Sequence, residues 1–118
     1  MGNIEKVNST KSLDGEAARE ILRTWRKQRF IGKSFSACHQ PPYAIRFYSK
    51  GKTVLFATIC WACSNVTFIV PDVKYWVEFP ADSEEARLLR EVFIKAFPSE
   101  QRFISRWLPK KALQLTAR

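Results

Sequence analysis

The run Thr53 to Trp61 constrains the fold more than any other stretch, because it is apolar on both faces. Read as a strand, it sets Val54, Phe56 and Cys60 on one side and Leu55, Ala57, Ile59 and Trp61 on the other. Such a strand belongs inside a sheet that is covered on both sides. Its first neighbour precedes it in the chain. Tyr43 to Ser49 alternates, Tyr43, Ile45 and Phe47 against Ala44, Arg46 and Tyr48, and Lys50-Gly51 supplies a hairpin turn in which Gly51 takes the positive φ. Ser64-Asn65 suits a second turn, Val66 to Val70 forms a third strand stopped by Pro71, and Val73 to Phe79 alternates as a fourth. The expected sheet is an antiparallel meander of about four strands.

Helical periodicity appears on either side of this sheet. Ala17, Ala18, Ile21, Leu22 and Trp25 recur at helical spacing behind an Asp14 N-cap, which predicts a helix over about 15 to 30 ended by Gly32. After Pro80, either Asp82 or Ser83 caps a second helix. Glu84 and Glu85 sit in its first turn, Ala86, Leu89, Val92, Phe93, Ala96 and Phe97 make its buried stripe, and Pro98 closes it. A short apolar patch, Phe103, Ile104, Trp107 and Leu108, suggests one more helix before Pro109. Residues 1–13 show no apolar periodicity and read as a loose leader, and residues 110–118 read as a basic tail. Residues 14–109 are then a single α+β domain, with an N-terminal helix and one or two C-terminal helices covering one side of the sheet. At 118 residues and 46% hydrophobic, the chain has material for one such core.

Charge narrows the partners. Twenty basic against eleven acidic side chains give a formal net charge of +9, which attracts acidic protein, nucleic acid or anionic membrane surfaces alike. Arg19, Arg23, Arg26 and Lys27 gather on the side of the first helix opposite its apolar stripe and are the candidate binding face. No run approaches the roughly 18 apolar residues that a membrane span needs. The first residues lack the apolar stretch of a secretory signal, and Lys6 stands where a myristoylation signal wants Ser or Thr. The expectation is a soluble, cytoplasmic protein.

All three cysteines and the single histidine lie between Cys38 and Cys63. Cys60-x-x-Cys63 has the bite of a tetrahedral zinc site, and Cys38 with His39 would complete a Cys3His set. Adjacent residues on extended chain point in opposite directions, however, so Cys38 and His39 reach one ion only if the backbone kinks near Pro41-Pro42. A dithiol cycling at Cys60 and Cys63 is the second reading, without the helix N-terminus that usually activates such a pair. Buried structural cysteine is the third. An odd cysteine count rules out a fully paired framework within one chain and makes a reduced compartment the simpler expectation. One histidine with no paired carboxylates beside it, and no Gly-rich phosphate loop, gives hydrolytic chemistry little support.

The segment Cys38-His39-Gln40-Pro41 with Tyr43-Ala44-Ile45-Arg46-Phe47, followed by Ile59-Cys60-Trp61-Ala62-Cys63, resembles a group of small bacterial proteins. Their pattern is Cys, His or Phe, any residue, Pro, a basic residue, a hairpin, and Ile-Cys-Phe-x-Cys. Phe79-Pro80-Ala81-Asp82-Ser83 is similar as well, so the resemblance spans about residues 38 to 98. Pro42 stands where the group has a basic residue, and Trp61 where it has Phe. The resemblance implies a small α+β domain. Together with surplus positive charge and no catalytic set, it points to a non-enzymatic binding protein, an immunity protein or inhibitor of a bacterial toxin that contacts an acidic toxin domain through Arg19, Arg23, Arg26 and Lys27. The alternative is a zinc-stabilised nucleic-acid-binding module held by Cys38, Cys60 and Cys63.

Overall fold

The structure, a computed structural model, describes residues 7–36, 38–39, 41–70, 72–97 and 110–116. They form β1 (Val7–Leu13), α1 (Gly15–Arg26), β2 (Gly32–Lys33), β3 (Tyr43–Ser49), β4 (Lys52–Cys60), β5 (Asn65–Val70), β6 (Val73–Glu78), α2 (Glu84–Ala96) and β7 (Lys110–Thr116). The strands make one mixed sheet of order β1-β7-β3-β4-β5-β6-β2.

The β3-to-β6 meander matches the sequence reading, and β4 lies inside the sheet as its two apolar faces require. The antiparallel four-stranded sheet is nevertheless corrected to seven strands with two parallel pairings, β1 with β7 and β7 with β3. Val7–Leu13, within the expected leader, is β1, and Lys110–Thr116, within the expected basic tail, is β7. What draws β7 in is a short apolar alternation: Leu113 and Leu115 are buried, in register with Ile45 and Phe47 of β3. The apolar patch at 103–108 lies outside the described residues.

Both helices pack on one face of the sheet. Ala18 and Trp25 of α1 and Ala86, Leu89 and Phe93 of α2 share a core with Tyr43, Ile45, Ala57, Ile59, Val66 and Leu113. Tyr43 stacks on Phe93 with ring centroids 4.6 Å apart, a pairing that adds about 1 kcal/mol beyond burial. Helix α1 stops at Arg26 and does not run on to about 30. Past that point the Gln28 side-chain amide donates to the carbonyls of Thr24 and Glu85, which closes the last turn and ties it to α2. At α2 the cap is Ser83, whose hydroxyl accepts from the Ala86 amide.

Candidate functional site

Cross-strand register decides what the helix-free face of the sheet displays. Tyr43, Ile59, Val66 and Val77 stand in one row on the helix side, so the alternate rows, Ala44–Thr58–Thr67–Trp76 and Cys60–Asn65–Glu78, stand on the other. The histidine and the three cysteines meet on or beside those two rows.

His39 lies against this face. Its Nδ1 is 2.6 Å from Asn65 Oδ1, and its Nε2 is 2.7 Å from Thr58 Oγ1 and 3.0 Å from Thr67 Oγ1. The ring sits beside Trp76 at 5.3 Å between centroids. Asn65 Nδ2 donates 2.8 Å to the Cys38 carbonyl, so the amide oxygen must be the atom facing the imidazole, and Nδ1 carries a proton. In the neutral ring Nε2 is then an acceptor for the threonine hydroxyls. Thr58, Asn65 and Thr67 are each only 1% exposed, so the cluster sits closed beneath the loop that delivers His39.

The cysteines converge at one end of the same face. Trp61 to Ser64 turn the chain from β4 into β5, with Ser64 at positive φ and its amide bonded to the Trp61 carbonyl. Trp61 anchors the turn on the helix side, where its indole nitrogen donates to the Ala86 carbonyl and its ring packs on Tyr43, Phe79 and Phe93. On the opposite side the three sulfurs lie within 4.8 Å of one another. Cys38 and Cys63 form a disulfide, and Cys60 is a buried free thiol that accepts a hydrogen bond from the Cys63 amide at 3.2 Å.

This arrangement corrects the zinc expectation. Cys38 is bonded to Cys63, and both ring nitrogens of His39 face Asn65, Thr58 and Thr67, so Cys38, His39, Cys60 and Cys63 do not assemble as a ligand set. The reason is the one the extended backbone supplies: Cys38 and His39 are neighbours that point apart, one to the turn and one to the sheet. One bridge and one buried thiol account for the three cysteines, so an odd count does not by itself imply a reduced compartment.

The predicted basic face is exposed but partly self-neutralised. Arg19 pairs with Glu16 at 3.0 Å, and Arg23 pairs with Glu16 at 3.3 Å and Glu20 at 3.6 Å. These hydrogen-bonded guanidinium groups, Arg19 foremost, hold the Glu16 carboxyl below the ordinary carboxylate range. Arg26 and Lys27 pair with no carboxylate among the described residues.

What the sequence reading missed begins there. From Arg26 to Phe35 the surface carries four exposed cations, Arg26, Lys27, Arg29 and Lys33, interleaved with Phe30 at 38%, Ile31 at 65% and Phe35 at 84% exposure. The Lys33 ammonium lies 5.5 Å from the centre of the Phe35 ring, and Phe30 is seated on Trp25 and Phe68. Arg29 reaches Glu85 at 3.8 Å. A signal for this segment was present: no Asp or Glu occurs between Glu20 and Asp72. Compared with known proteins, the chain matches no family model, no curated protein and no solved structure.

Proposed function

We propose that this chain is a non-enzymatic binding protein that docks on an acidic protein surface, acting as an inhibitor or immunity protein that neutralises a bacterial toxin. The observation that carries the reading is the Arg26–Phe35 segment, where exposed cations are interleaved along the chain with exposed large apolar side chains. Interface cores favour arginine and aromatic anchors, and cationic rims steer encounter with an acidic partner. A net charge of +9 extends that steering over the whole molecule. Arg26 and Lys27 remain in the contact. Arg19 and Arg23, which are held by Glu16 and Glu20, contribute at its margin.

A binding role also suits the chemistry that is buried. The threonine hydroxyls beside His39 are closed to a substrate. Among the described residues, the concavity of about 370 Å3 between β1, α1 and α2 and the one of about 180 Å3 beside Phe47 and Leu115 are lined by neither histidine nor cysteine. No helix among the described residues is long and apolar enough to cross a membrane. A persisting Cys38–Cys63 bridge favours a compartment in which disulfides are maintained.

The test is capture from native bacterial extract followed by binding measurements on the purified partner. Reversal of Arg26, Lys27, Arg29 and Lys33 to Glu is expected to weaken association at least tenfold and to flatten its salt dependence. Ile31→Ser with Phe35→Ser is expected to raise the dissociation rate. Co-expression should suppress the partner's toxicity. Unchanged affinity after charge reversal would sink the assignment. So would equal, steeply salt-dependent binding to any duplex DNA or single-stranded RNA, which would return the nucleic-acid reading without its zinc.

A further inference from the structure

We infer that the three cysteines form an internal thiol–disulfide exchange site, in which Cys60 displaces Cys38 from Cys63 and presents Cys38 as a surface thiol for mixed-disulfide formation. Three observations carry it. The Sγ atoms of Cys38, Cys60 and Cys63 all lie within 4.8 Å of one another, so the free thiol is already beside the bridge. Cys60 and Cys63 are separated by two residues across one tight turn, and the Cys63 amide donates to Cys60 Sγ, which holds that sulfur against its proposed target. Burial is graded: Cys60 is buried, Cys63 half-buried and Cys38 exposed, so the sulfur that would leave is the one water can solvate.

The step balances without any outside oxidant. The Cys60 thiolate attacks Cys63 Sγ, the Cys60–Cys63 bond forms, the Cys38–Cys63 bond breaks, and Cys38 departs as a thiolate that takes up the proton Cys60 lost to solvent. The protein keeps one disulfide and one thiol throughout. The exposed Cys38, on losing that proton again, attacks a small disulfide, giving a mixed disulfide at Cys38 and a small thiolate that takes the proton up, so one equivalent of free small thiol is released. Exchange removes a covalent tie between the loop before β3 and the β4–β5 turn. The His39 and Asn65 hydrogen bonds remain to keep that loop docked.

The native protein should be incubated with iodoacetamide in reductant-free buffer, quenched with acid, digested and mapped without reduction by mass spectrometry. The expected result is label on Cys38 with Cys60 bridged to Cys63, and at least tenfold less label in Cys60→Ala. A parallel incubation with oxidised glutathione should place glutathione on Cys38 of the wild type. The wild-type map is informative even if the variant folds poorly. Label on Cys60, label on Cys38 that persists in folded Cys60→Ala, or no native labelling while the denatured chain reacts fully would each overturn the inference.

Discussion

At Asn65 three hydrogen bonds decide the state of a neighbouring ring. Its amide nitrogen is committed to the Cys38 carbonyl and, at 3.4 Å, to Ser34 Oγ, leaving its oxygen to accept from His39 Nδ1. Replacing His39 by Ala would strand that oxygen and disturb two threonine hydroxyls that are 1% exposed. We expect His39→Ala to cost about 2–3 kcal/mol, since a buried polar group without a partner costs about 1–3 kcal/mol. The urea midpoint measures it, and an unchanged midpoint would mean that water replaces the ring at no cost. Nitrogen-15 shifts of the wild-type neutral imidazole should show the proton on Nδ1. The sequence put His39 and the cysteines in one cluster but not in one role. Which atoms face each other depends on register between β4 and β5, and the spacing along one strand carries no such information.

Among the elements, the β3–β4 hairpin was legible because local chemistry specifies it, apart from the shift of register between Phe47 and Tyr48 and the positive φ at Lys50. Ser49 pairs with Lys52, leaving the two-residue loop Lys50-Gly51 with φ of 54° and 79°. That is a type I′ turn, which favours Asn-Gly over Lys-Gly because Lys50 holds a left-handed conformation. Lys50→Asn is therefore expected to stabilise the protein by about 0.5–1 kcal/mol and Gly51→Ala to destabilise it by about 1 kcal/mol, read from paired thermal melts. Helix α2 was legible too, though only the structure chooses between its two candidate caps. Ser83→Ala should cost about 1 kcal/mol, whereas replacing Asp82 should not. At its first turn Arg87, through hydrogen bonding and charge, holds the Glu84 carboxyl below the ordinary range. Glu16 on α1 is lowered in the same sense by Arg19 and Arg23. Because these folded-state values are depressed, the stabilisation is present above the unfolded carboxylate pKa of about 4.3 and is lost as pH falls through the lower folded value. Both carboxyls are fully exposed, so high salt should shrink that acid-induced loss, as urea midpoints at neutral and acidic pH would record.

For the whole molecule, the decisive strands are those farthest apart in the chain. Val7–Leu13 reads as polar, with Asn8, Ser9, Thr10, Lys11 and Ser12 in succession, yet it takes the sheet edge by backbone pairing to β7, with Leu13 packed against the core. Only Leu113-Gln114-Leu115 betrays β7, three residues of alternation too short to count against a basic tail. Yet β7 lies between β1 and β3, and β1 joins the sheet through β7 alone. Leu113 is fully buried, so Leu113→Ala should cost about 2–4 kcal/mol through the lost burial and the cavity left behind. The loss should also be unevenly distributed. Hydrogen exchange of the variant is expected to show β1 and β7 amides losing protection together, while β4 and β5, paired on both sides within the meander, retain theirs at low denaturant. Were β1 to stay protected while β7 opens, the first strand would be held by its contacts to the helices, such as Lys11 Nζ on the Ala96 carbonyl, and the sheet would not depend on its C-terminal strand for closure.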